Sequence, residues 1–227
     1  MFVILESEIA FSGKPKPLHY QINKDRFKSF HDKIIHLILP PMTEAYLGQF
    51  PVTHPNITSQ WHYEYFSRDK GLQLALEALR PNEGDWVIVG DLDEILQQSF
   101  IENIKAPELS TVEGQMLTPG NQHSGGDIIR AGCDFYFYSY EFSNLNTLKY
   151  GPMTFRYRAP DSPILSNDSY PGIKDYRWFI ENNHQSTGGR LRDARNYWKI
   201  GMPLEKACTH CSWCFANITM MISKVDS

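Results

Sequence analysis

The sequence predicts a single α/β domain with a mixed sheet, and three observations support this class. Trp86–Val89 is fully apolar, as strands in the centre of a parallel sheet are. The segment from about Trp61 to Leu79 carries apolar residues at helical spacing and stops before Pro81. The length of 227 residues is enough for one such domain with a sizeable core, or for two small domains. We expect its second half to be irregular, because residues 151–189 show weak periodicity.

Further elements are expected on both sides of this helix and strand. They are a buried strand at Phe2–Leu5, a short helix at Asn23–His31, a strand at Lys33–Leu39, a helix at Ile95–Ile104 and a strand at Asp134–Tyr140. A turn is expected at Pro81–Gly84.

The composition limits the classes of partner. A net charge of -4 at pH 7 gives no reason to expect a broad nucleic-acid or membrane-binding surface. No apolar run is long enough to span a bilayer, and the first residues lack the charged region of a signal peptide. Aromatic residues make up 13% of the chain, which suits either a tyrosine-rich core or platforms for sugar rings.

We expect a metal- and phosphate-binding site at Asp91-Leu92-Asp93-Glu94, which follows the apolar strand. Ligands of open α/β sheets bind at the carboxyl ends of strands, and two carboxylates separated by one residue can converge on one hard divalent cation. A nucleotide diphosphate would supply further oxygen ligands, and Gly90 would allow it to approach the backbone closely.

Two alternatives to this metal site stay open. The acidic residues can instead form a solvated turn that caps the next helix. Haloacid-dehalogenase-type phosphatases also place Asp-x-Asp after a strand, with the first Asp as nucleophile. Ile95 at the position where they have Thr or Val, and the mid-chain location, make this phosphohydrolase the second choice.

Four blocks of the chain resemble glycosyltransferase family 17, the bisecting β-1,4-mannosyl-glycoprotein 4-β-N-acetylglucosaminyltransferase family. They are Glu6-Ser7 with Phe11–Leu18, Arg68-Asp69, Asp91–Ile95, and His210-Cys211-Ser212-Trp213-Cys214-Phe215. The blocks occur in the family's order and span nearly the whole chain. Two positions depart from the family's pattern. Leu96 replaces a proline, a change expected to alter only the local turn. Cys208-Thr209 replaces Gly-Trp, and if that Trp stacks on a sugar in the family, the choice of acceptor is affected.

The resemblance implies a GT-A-like, Rossmann-type mixed sheet flanked by helices. It implies inverting transfer of N-acetylglucosamine from UDP-GlcNAc to a mannose hydroxyl of a glycan or glycoprotein. From the position of Asp91 and Asp93 we expect Mn²⁺ or Mg²⁺ as the cofactor. Family members carry a strand and helix before Glu-Ser, so we expect the first strand to be missing and the domain to be truncated at both ends. The alternative is an inactive glycan-binding remnant. Membrane attachment would require an anchor segment outside this chain. With such an anchor we expect the protein in the Golgi or secretory membrane, and without it in the cytoplasm.

The expected site residues follow from the blocks together with side-chain chemistry. We expect Asp91, Asp93 and Glu94 to be catalytic, Asp91, Asp93 and His210 to bind metal, Glu6, Arg68 and Lys14 to bind the donor, and Trp213 to bind the acceptor. For Arg68 the alternative is an ion pair with Asp69 or Glu64, and for Lys14 a solvated basic turn. Candidates for the general base are Glu94, Asp134 and Glu141.

The late histidine and the cysteines carry separate expectations. The ligating atoms of His210 and Asp93 should lie within about 4 to 5 Å if both reach one ion. The alternative is a buried His210 bonded to backbone. Cys208, Cys211 and Cys214 suggest a disulfide between two of them, plain buried thiols, or a zinc site completed by Cys133 or His210.

Overall fold

The computed structural model describes residues 1–44, 59–105, 128–137, 140, 149–161 and 202–212. The chain divides into two compact units, and among the described residues the boundary follows Pro81. Helices and small sheets are both present, which confirms the mixed α/β class. The GT-A-like arrangement and the single domain stay predictions. In the part of the chain that is described, no helix combines the length and apolar character needed to cross a membrane.

The described residues of the first unit form two strands, two helices and a 3₁₀ segment. They are β1 (Phe2–Glu6), α1 (His19–Ile22), the 3₁₀ segment Lys24–Lys33, β2 (Ile34–Ile38) and α2 (Ser59–Leu79). β1 and β2 pair in parallel, from Phe2↔Ile34 to Glu6↔Ile38. The long helix, the two strands and the helical segment near residue 24 confirm the corresponding predictions.

Strand β1 is less buried than predicted. Phe2 is 66% exposed, and the rest of the strand is only partly buried. The strand packs against α2 at Gly71, where an added Cβ would collide with the side chain of Leu5. Within the described residues β1 has one paired neighbour, so an apolar run here marks a partly covered strand and not a fully buried one.

The described residues of the second unit form a five-stranded mixed sheet. The order is β3 (Trp86–Val89), β6 (Lys149–Arg156), β5 (Ile128–Phe137), β7 (Met202–Ser212) and β4 (Glu94–Leu96). β5 and β7 run parallel, whereas the other neighbours are antiparallel. The predicted mixed sheet is therefore present, but the prediction that Trp86–Val89 is a central parallel strand is wrong. The strand lies at an edge of the described sheet, and Ile88 is 37% exposed.

The segment after the acidic residues also differs from its prediction. The expected helix Ile95–Ile104 begins as strand β4, because Glu94–Leu96 pairs with β7. The helix itself, α3, is Gln98–Lys105, with Phe100 and Ile104 buried one turn apart. These two residues pack into a core cluster with residues of β5 and β7. The core thus forms where α3 covers the middle of the sheet.

Candidate functional site

An acidic turn connects β3 to β4. We use this name for Asp91-Leu92-Asp93-Glu94. Two reciprocal hydrogen bonds close it: the Glu94 N–H donates to the Asp91 carbonyl at 3.0 Å, and the Asp91 N–H donates to Glu94 Oε2 at 2.8 Å. Glu94 is 7% exposed and Leu92 at the tip is 95% exposed. The turn therefore has a buried, bonded base and a solvent-facing tip.

His210 lies beside this turn although it is far away in the sequence. β4 pairs with β7 so that Glu94 stands opposite His210. His210 Nε2 lies 3.5 Å from Asp93 Oδ2, which is within the separation expected for two ligands of one ion. The Asp93 side chain is 41% exposed and that of His210 is 17% exposed. The pair can therefore meet a ligand from solvent.

Phe135 contacts the imidazole of His210 from β5, the strand on the opposite side of β7 from β4. β5 and β7 place Phe135 opposite His210, and the two rings meet edge to face at 4.6 Å between centroids. An aromatic neighbour in this geometry limits the rotation of the imidazole ring. Sequence reasoning did not single out Phe135, because one aromatic residue on a strand is indistinguishable from a core residue.

The donor set fits a divalent ion of the manganese or magnesium type. Ligands at about 2.1 Å in neighbouring octahedral positions lie about 3 Å apart, so a separation of 3.5 Å needs little adjustment. Carboxylate oxygen with imidazole nitrogen suits such ions. Within the described residues no three His, Cys, Asp or Glu side chains converge into a complete metal site. Asp93 and His210 would fill two positions of an octahedral ion, and the oxygens of a diphosphate and of water suit the others.

A disulfide between Cys133 and Cys208 joins β5 to β7 two residues before His210. Cys211 is also disulfide-bonded. Cys208 therefore does not pair within the late cysteine group, and a disulfide between the other two members of the group stays a prediction. The zinc alternative does not fit, because zinc binds thiolates and these sulfurs are oxidised. Cys214 lies outside the described residues.

Glu6, expected to bind the donor, closes the start of α1 in the first unit. Its carboxylate accepts the N–H groups of Tyr20 at 2.7 Å and Gln21 at 3.0 Å, and contacts His36 Nε2 at 2.9 Å. Partial burial raises the pKa of Glu6, but the two backbone hydrogen bonds and His36 outweigh it, so the pKa lies below its ordinary value. The observed contacts are structural, and the donor role stays a prediction.

The other expected donor ligands also have local partners. Arg68 donates to Glu64 Oε1 from Nε at 3.1 Å and from a terminal nitrogen at 2.7 Å, which is the ion pair named as the alternative. Lys14 is exposed, and its carbonyl accepts the N–H of Ala10 within a turn. Their contact with a donor stays a prediction.

The remaining candidates are the two further bases and the acceptor residue. Asp134 is exposed on β5, one residue before Phe135. Glu141 and Trp213 lie outside the described residues. Glu94, Asp134 and Glu141 all stay candidates for the general base.

The model of glycosyltransferase family 17 matches residues 1–116, about half of the chain. The chain belongs to glycosyltransferase family 17. The match includes Glu6, Arg68 and the acidic turn, and it ends before β7. No curated protein and no solved structure matches the chain. As a family 17 glycosyltransferase the protein uses a sugar donor and a glycan acceptor. The Asp93–His210 pair stays a candidate ligand site.

Proposed function

We propose that this glycosyltransferase transfers N-acetylglucosamine from UDP-GlcNAc to a mannose hydroxyl of a glycan, with inversion and with a divalent metal ion. The family supports sugar transfer, and the resemblance of the four sequence blocks supports this donor and acceptor. The observation that carries the metal dependence is the 3.5 Å approach of His210 to Asp93.

Asp93 and His210 would hold the ion, with Asp91 from the same turn as a further candidate ligand. When bound, Mn²⁺ or Mg²⁺ neutralises the negative charge that develops on the departing diphosphate. The chain itself supplies the positioning. The closed acidic turn orients Asp93, while Phe135 and the Cys133–Cys208 disulfide hold the strand and ring of His210 in place.

Metal-dependent binding of UDP tests the proposal. We expect Asp93→Asn and His210→Gln each to weaken UDP binding in the presence of Mn²⁺ at least tenfold, about 1.4 kcal/mol, because each removes one of two paired ligands. Isothermal titration calorimetry with and without Mn²⁺ measures this. The matched control is Asp85→Asn, since Asp85 is an exposed carboxylate at the start of β3 that closes a different turn.

Transfer is measured separately as UDP release from UDP-GlcNAc with a mannose-terminated glycan. Equal Mn²⁺-dependent UDP binding in both variants and the wild type would reject the assignment of the pair. Release of phosphate from simple phosphomonoesters without sugar transfer would favour the phosphohydrolase instead. Glycan binding without any transfer would favour the inactive remnant.

A further inference from the structure

We infer that Glu94 is a positioning residue and not the general base: its carboxylate holds the acidic turn closed and thereby keeps Asp93 beside His210. The inference rests on the proposed function for its catalytic consequence. Its structural part, the closed turn, can be tested without any activity.

The first argument is the enclosure of the Glu94 side chain. The residue is buried, with 7% of its surface exposed, whereas the neighbouring Asp93 is only partly buried. A Cβ added at Gly90 would lie 3.1 Å from Glu94 Oε2, and one added at Gly151 would lie 3.5 Å from Glu94 Cδ. Two positions without side chains, at the end of β3 and within β6, therefore leave the space that the carboxyl group occupies.

The second argument is connectivity. The Glu94 side chain accepts the Asp91 N–H, its backbone N–H donates to the Asp91 carbonyl, and its strand position is paired with His210. One residue thus connects the start of the acidic turn to the strand that carries the histidine. Asp93 lies between these two fixed points, so its distance from the imidazole depends on them.

The third argument concerns proton transfer. A general base must come within about 2.6 to 3.2 Å of the acceptor hydroxyl, directly or through one water molecule. The buried carboxylate of Glu94 accepts a backbone N–H of its own turn, and it presents little surface to an acceptor. Asp134 is exposed and has the accessibility that Glu94 lacks.

The two roles predict opposite results for Glu94→Gln. The amide keeps an oxygen that can accept the Asp91 N–H but cannot take a proton from an acceptor. A positioning role predicts kcat and Mn²⁺-dependent UDP affinity within about threefold of wild type, and an unchanged pH profile. A base role predicts a loss in kcat of about 10² to 10⁴-fold and loss of the acidic limb of the pH profile, because a general base acts only when deprotonated.

Glu94→Ala removes the acceptor altogether. We expect UDP affinity in the presence of Mn²⁺ to fall at least tenfold, and the apparent KM for Mn²⁺ to rise, because the turn opens. Asp85→Ala and Asp85→Asn are the matched control pair, since Asp85 Oδ2 accepts the Asn82 N–H at 2.8 Å and closes an equivalent turn at the other end of β3. An equal loss in Asp85→Ala would overturn the inference by showing a general effect of an opened turn.

Hydrogen exchange of the Asp91 amide separates this inference from the proposed function. Protection is expected in wild type and Glu94→Gln and should be lost in Glu94→Ala, whether or not UDP binds. Unprotected Asp91 in the wild type overturns the inference and leaves the proposed function intact. Protection together with no UDP binding by wild type rejects the proposed function alone. If Glu94→Ala does not fold, the kcat and amide exchange of Glu94→Gln decide between the roles.

Discussion

Removal of the Cys133–Cys208 disulfide should destabilise the second unit strongly. The bond closes a loop with a sequence separation of 75 residues. The chain-entropy relation gives about 4.5 kcal/mol for a loop of this length, since the reduced unfolded chain gains the freedom that the bond removes. Both cysteines are also buried, so a Cys133→Ala/Cys208→Ala variant loses packing in addition.

Urea unfolding followed by circular dichroism measures the effect. With a slope of about 3 kcal/mol per M, a loss of about 4.5 kcal/mol moves the midpoint down by about 1.5 M. Wild type treated with a reductant is not an equivalent sample, because Cys211 is also disulfide-bonded. A midpoint change below about 0.3 M, or alkylation of Cys133 and Cys208 in the native oxidised protein, would refute the reasoning.

Two further predictions concern the first unit and the packing of the sheet. Because the folded-state pKa of Glu6 is lowered, its stabilising contribution is present above the unfolded value of about 4.3 and is lost as the pH falls through the lower folded value. Glu6→Gln should therefore flatten the loss of stability below about pH 5, and an unchanged acid-unfolding curve would contradict this. Gly151→Ala should cost about 1 to 3 kcal/mol, since its Cβ would contact Cys133 Sγ and lie 2.9 Å from Cys208 Sγ. Thermal unfolding decides, and an unchanged Tm would show that the sheet relaxes around the methyl group.

The elements that could be predicted from the sequence are those whose pattern of apolar residues and end signals lies within one continuous segment. The helix Ser59–Leu79 carries its apolar spacing and its stop within one continuous segment, and β2 is a short apolar run before two prolines. The acidic turn could be located because it directly follows such a run. Its proximity to His210 was expected from metal-ligand chemistry and not from any local pattern.

Strands β6 and β7 were not predicted from the sequence, and for β6 the reason is physical. The β6 residues Gly151–Phe155 are all buried, so the strand lacks the alternation of apolar and polar residues that identifies a half-exposed strand. Its proline and glycine also weaken a strand prediction. The order of the sheet and the Cys133–Cys208 pair depend on contacts between distant segments, which spacing along the chain does not encode.

The pairing of β4 with β7 brings two distant segments of the second unit together. The acidic turn by itself contains carboxylates as its only polar side chains, and the core cluster by itself contains only packed apolar and cysteine side chains. β4 is only three residues long, yet it places Glu94 opposite His210 and Leu96 opposite Cys208. One strand pair therefore aligns the proposed ligand with the acidic turn and the disulfide with the core beneath α3. Because the same register fixes both, the stability of the sheet and the geometry of the Asp93–His210 pair are expected to change together when this pairing is disturbed.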